Sequence, residues 1–137
     1  MSRIGLLFFG LMLAAVVKVY CQSVPKQQII QQLLDLPDLQ QFYHADVLGR
    51  LPIKLLENAS APRNLRLQKF GFPVTILSAA ELKKQGIKDY VSIHKLASHR
   101  DTLLYGVGYS IEGVVCRVRF TKQHAVWKIQ HYDLAEK

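Results

Sequence analysis

From Pro25 onward the chain sets Ile29, Ile30, Leu33 and Leu34 at helical spacing, with Gln27, Gln28, Gln31 and Gln32 between them. One apolar stripe and one polar face predict an amphipathic helix. Leu36-Pro37 interrupts it, and Pro37 suits the first turn of a second short helix running through Tyr43. Asp46 to Gly49 then breaks the pattern. Leu51 to Glu57 reads as a strand, and Ala61-Pro62-Arg63-Asn64 reads as a turn. Leu65 to Phe70 and Val74 to Leu77 read as extended, with Gly71-Phe72-Pro73 as the kink between them. Ser78 and Glu81 have the spacing of a capping box, and Leu77 and Leu82 stand at staple positions. Lys83 and Lys84 lie where the helix dipole favours cations, and Gly86 is placed to end that helix. Four strands should follow, over Tyr90–Ala97, Thr102–Ile111, Val114–Thr121 and Val126–Tyr132.

The pairing of these strands can be tested by asking which register gathers apolar residues on one face. A two-residue turn at Glu112-Gly113 pairs Ile111 with Val114, Tyr109 with Cys116, Val107 with Val118 and Tyr105 with Phe120. A one-residue slip would turn Arg117 and Arg119 inward. A loop over Lys122–Ala125 then sets Phe120 against Trp127, Val118 against Ile129 and Cys116 against His131. A loop over Ser98–Asp101 sets His94 against Tyr105, Ser92 against Val107 and Tyr90 against Tyr109. Two inner rows result: Tyr90, Tyr109, Cys116 and His131, and beside it His94, Tyr105, Phe120 and Trp127.

Hydroxyl and imidazole groups among aromatics have the make-up of a small-ligand pocket, with Tyr90, His94, Tyr105, Tyr109 and His131 as its binding residues. The other reading, which is preferred, is that these amphipathic side chains sit at the core margin with their tips on backbone or water. On the outer face Arg117, Arg119 and Lys128 come together, with Gly106 and Gly108 opposite the two arginines. Like charges across a sheet repel, and an anion would relieve them. The plainer reading is that the glycines permit curvature and the cations are solvated.

The N-terminus changes the picture of compartment. Arg3 precedes an uncharged apolar run from Ile4 to Val17, closed by Lys18. Spanning a bilayer takes about 20 such residues, so this run reads as a signal peptide over residues 1–22, leaving 23–137 as one domain. The expected destination is the periplasm or the exterior. An uncleaved anchor is the alternative. Tyr20 before Cys21 disfavours a lipoprotein. Of the two cysteines, cleavage after Cys21 leaves Cys116 alone, so no disulfide framework is expected.

Half of the 137 residues are hydrophobic and 20% are charged, which argues against disorder. The net charge is +8, two units of it from Arg3 and Lys18. A basic balance favours anionic partners, and export makes nucleic acid an unlikely one. An acidic protein, an anionic glycan or a lipid headgroup fits better, with plain solubility as the simpler reading. The sequon Asn58-Ala59-Ser60 matters only in a eukaryotic secretory pathway.

No phosphate loop, dinucleotide fingerprint, HExxH or CxxC is present, and the five histidines form no metal signature. No cofactor or metal is expected. Cys116 with His131 would suggest a nucleophile and base, but no orienting acid accompanies them.

The capped helix at Ser78, the meander after Tyr90 and the closing strand Trp127-Lys128-Ile129-Gln130-His131-Tyr132 give residues 78–134 a resemblance to nuclear-transport-factor-like and cystatin-like α+β domains. The first half departs from it, because Leu51 to Leu77 looks extended. The inhibitory Gln-x-Val-x-Gly motif of cystatins is absent, so protease inhibition is not implied. These folds include enzymes and binding modules, and fold alone does not choose between them.

The expected architecture is α+β: one or two N-terminal helices and a capped middle helix on a curved antiparallel sheet that ends in a four-stranded meander. The expected function is an exported, non-enzymatic binding or interaction module of unknown ligand, with an anionic partner as one candidate. The alternative is a small-ligand pocket protein or enzyme using the Tyr/His row.

Overall fold

The computed structural model describes residues 25–137; the signal-peptide expectation for residues 1–22 and Cys21 lie outside them. Helix α1 (Lys26–Leu34) buries Ile29, Ile30, Leu33 and Leu34 completely. Each such burial contributes about 1.5–3 kcal/mol over exposure. After Leu36, a single 3-10 turn (Pro37–Leu39) runs into α2 (Gln40–Tyr43). The last carbonyls of α1 lack helical partners. Gln40 Nε2 donates to Leu34 O and Leu36 O, and the buried Tyr43 hydroxyl donates to Leu34 O at 2.9 Å.

Six strands form one sheet, in the spatial order β4-β1-β5-β6-β7-β8. They are β1 (Lys54–Leu56), β4 (Thr75–Leu77), β5 (Val91–His99), β6 (Thr102–Tyr109), β7 (Val114–Gln123) and β8 (Val126–Glu136). A separate two-residue hairpin, β2 (Gln68–Lys69) and β3 (Phe72–Pro73), fills the connection between β1 and β4. The fold is therefore α+β with a mostly antiparallel sheet ending in the β5–β8 meander. The exception is β1, which lies parallel to both β4 and β5.

Helix α3 (Ala79–Gln85) has the capping box its sequence predicts. Ser78 Oγ accepts from Glu81 N at 3.1 Å, and Ser78 N donates to Glu81 Oε1 at 3.3 Å. Gly86 ends it at φ +67°, a left-handed conformation that any Cβ would strain. Among the described residues no helix is long and apolar enough to cross a membrane.

The meander differs from the expected register at each of its three turns. Between β6 and β7 the chain uses a 3-10 turn (Ser110–Glu112) and Gly113 in place of a two-residue turn. Tyr109 therefore pairs with Val114, Val107 with Cys116, Tyr105 with Val118 and Leu103 with Phe120. The shift is two residues, an even number, so each side chain keeps its face while changing its partner.

At the other two hairpins a β-bulge changes the parity. The β5–β6 ladder slips between Lys95 and Ala97, so Val91 faces in beside Tyr109 and Ile93 beside Val107. The β7–β8 ladder slips between Arg119 and Phe120, which sets Phe120 against Ile129, Val118 against Tyr132 and Cys116 against Leu134. Each bulge inserts one unpaired residue and inverts the faces beyond it. The gain is apolar burial: Val91 and Ile93 go inside where Ser92 and His94 would have gone.

The inner face packs on α1 and α2 around Leu33, Leu34, Tyr43, Val118 and Phe120. Trp127 belongs to this core at 6% exposure, and its carbonyl accepts from Gln32 Nε2 of α1 at 3.2 Å.

Candidate functional site

The inner row does not assemble. Tyr105 and Tyr109 are core residues at 2% exposure, packed edge-on against Phe120 and tilted against Tyr43. His94 turns outward, and Tyr90 lies just before β5 at the rim of a shallow cleft with Ile87, Lys88, Ser110 and Ile111. His131 pairs with Arg119 on the outer face, and its Nε2 lies 3.1 Å from Asp133 Oδ1. The expected pairing of His131 with Cys116 is thus replaced, and the two lie on opposite faces. Burial, with Asp133 and Asp38 adding to it, pushes the Cys116 thiol up to about 11. It is therefore protonated at neutral pH and poorly suited to nucleophilic attack.

A cluster that long sequence separations conceal lies at the end of the sheet where β6 turns into β7. Arg50 Nη2 donates to Tyr109 Oη at 2.8 Å, to Glu112 Oε1 at 2.8 Å and to Phe42 O at 3.4 Å. Its Nε stands 3.8 Å from Asp89 Oδ2, and Lys54 Nζ donates to the same oxygen at 3.1 Å. His44 Nε2 is 3.3 Å from Glu112 Oε2. The hydrogen bond from Arg50 holds the Glu112 carboxyl below its ordinary range against the effect of burial. Burial raises the Tyr109 phenol, and Arg50 opposes it. Cations and carboxylates here occupy one another. The cluster ties the 42–54 segment to the sheet and leaves little charge for a ligand.

The sequon residues have a structural part. Asn58 Nδ2 donates to Ile93 O at 2.9 Å, while its Oδ1 accepts from Ser60 N and Ala61 N. Ser60 Oγ accepts from Lys95 N at 2.9 Å. The β1–β5 ladder registers only Leu55 with Val91, and these side chains continue its bonding along β5 to the bulge.

The outer face of β5–β8 is open. Arg117 is exposed between Gly106 and Asp133, Arg119 between Leu104 and His131, and Lys128 opposite Thr121. Gly106 is thus across from Arg117, and Gly108 is across from Val115, which corrects the expected pairing of glycines with both arginines. Lys128 is correspondingly beside Thr121 and not Arg119. Among the described residues Arg117, Arg119 and Lys128 make no ion pair. Asp133 is the carboxylate on this face, and it is engaged with His131.

A groove of about 330 Å³ runs over the two glycines, lined by Ser92, His94, Leu96, Val115 and Arg117. The glycines do not leave empty wells. A Cβ on Gly106 would stand 3.3 Å from Leu96 Cδ1, and one on Gly108 would stand 3.0 Å from Ser92 Oγ. Alternation along β7 makes the arginines legible in the sequence. The contributions of Ser92, His94 and Leu96 depend on the β5 bulge, which carries no comparable signal. Among the described residues no group of three His, Cys, Asp or Glu side chains could hold a metal ion.

Comparison with protein-family models, curated proteins and solved structures gives no match for this chain.

Proposed function

We propose that this protein is an exported, non-enzymatic binding module that docks an acidic protein on the outer face of its meander. The observation carrying the reading is the three unpaired cations, Arg117, Arg119 and Lys128, on an exposed sheet face whose one carboxylate is already engaged. Elsewhere, acidic side chains such as Asp35, Glu57, Glu81, Asp89 and Glu112 are held in ion pairs. The positive potential of the chain is therefore left to faces such as this one. Unpaired surface charge steers oppositely charged partners and loses strength with salt.

Protein is favoured over glycan because the outward positions of β5–β8 include no Phe, Tyr or Trp on which a sugar ring could stack. Arginine beside outward aliphatic side chains, here the exposed Leu96 and the half-buried Val115, is the composition of a protein interface.

Polyglutamate serves as the acidic probe, with a sulfated glycan and anionic vesicles as the competing surfaces. Replacing Arg117, Arg119 and Lys128 together by Gln should weaken polyglutamate binding at least tenfold and flatten its salt dependence. Unchanged binding overturns the reading, as does a parent that prefers the glycan or the vesicles. Export rests on the Arg3, Ile4–Val17 and Lys18 pattern. Material from the native host should begin between about residues 20 and 24, and an intact Met1 would contradict that.

A further inference from the structure

The open face has a spacing as well as a charge. Val115, Arg117 and Arg119 are successive outward positions of β7. Outward positions on a strand recur at about 6.4–6.8 Å. An extended segment lying along β7 presents its own alternate side chains at the same interval, so three of them can meet these three residues in turn.

The groove makes the first of those meetings apolar. Val115 stands on one wall with Arg117, and Leu96 stands on the other with Ser92 and His94. Between these walls Gly106 and Gly108 carry no side chain, and Leu96 and Ser92 close over them as the floor of the groove. A short aliphatic side chain can rest in the groove against Leu96 and Val115, while Arg117 and Arg119 offer guanidinium groups to the next two positions. Guanidinium pairs well with carboxylate because its fork of donors matches the two oxygens.

We infer that the acidic partner binds as an extended segment with an aliphatic residue at one position and carboxylates two and four positions further on. In this pose the aliphatic side chain lies in the groove against Leu96 and Val115, and the carboxylates lie on Arg117 and Arg119. This rests on the docking face proposed above and adds the conformation and pattern of what it takes. A sulfated glycan or a bilayer surface would engage the same cations without that register.

The test uses two end-blocked synthetic peptides of equal composition and fluorescence anisotropy with the full protein. One has Leu, Glu and Glu at its first, third and fifth positions with Ser elsewhere. The other has its two Glu adjacent. The alternating peptide should bind at least tenfold tighter. Filling the groove by Ser92→Phe removes the seat of the Leu and should weaken the alternating peptide at least tenfold. Val115→Trp serves as the second variant if Ser92→Phe does not fold. Equal affinity for the two peptides overturns the inference. So does an affinity for the alternating peptide that a folded groove-filling variant leaves unchanged. If polyglutamate binding is also indifferent to the Arg117, Arg119 and Lys128 substitutions, the docking face itself fails. If it responds to them while the two peptides stay equal, only the extended pattern fails.

Discussion

On the inner face of β5–β8, Val91, Ile93, Tyr105, Val107, Tyr109, Cys116, Val118, Phe120 and Trp127 are closed off from water. On the outer face of the same strands, His94, Arg117, Arg119, Lys128 and His131 stand exposed. One set of backbone hydrogen bonds serves both. The difference lies in what each face is free to do. The inner tyrosines and cysteine are chemically capable groups that burial has committed to packing. The outer cations cost little to leave in water and retain their charge for a partner.

The largest effect that separates the two faces should come from Trp127. Trp127→Ala removes a large aromatic from the closed side and should destabilise by about 3–5 kcal/mol in chemical denaturation. A loss below about 1 kcal/mol would mean that the inner face is not the core.

A smaller and pH-dependent effect should come from Glu112, at the end of the sheet where its carboxylate holds Arg50 and His44. Its folded pKa is lowered, chiefly by the hydrogen bond from Arg50. A carboxyl of lowered folded pKa contributes stability that is present above its unfolded value, about 4.3, and is lost as pH falls through the folded value. The parent should therefore lose stability on acidification below about pH 4.3. Glu112→Gln should be less stable at neutral pH and flatter over that acid range. Parallel curves for the two proteins would show that this carboxylate is not coupled to folding.

The sequence made some of this legible and hid the rest for physical reasons. The stripe Ile29, Ile30, Leu33 and Leu34 and the pair Ser78 and Glu81 act within one or two turns of chain, so their spacing alone specifies the contact. Alternation in Val114–Phe120 likewise separates Arg117 and Arg119 from the core, whatever partner each residue meets. Exact pairing is harder, because a bulge adds one residue without a distinctive side chain. Those near Leu96 and Gln130 turned His94 and His131 outward, and with them the supposed pocket dissolved. Arg50 is 59 residues from Tyr109 and 62 from Glu112, so no local pattern announces their contact. The parallel placement of β1 between β4 and β5 is equally a property of the assembled sheet.

The smallest stability effect should come from the open face, and there it is the contrast with binding that matters. The Arg117→Gln, Arg119→Gln, Lys128→Gln variant and its parent can be compared on single preparations, by denaturant unfolding and by polyglutamate binding at low and moderate salt. The unfolding free energies should agree to within about 1.5 kcal/mol, since each of the three exposed substitutions shifts stability by about 0.5 kcal/mol or less, while binding falls at least tenfold. Unchanged binding, or a destabilisation as large as that of Trp127→Ala, would contradict the division of the sheet into a closed structural face and an open docking face.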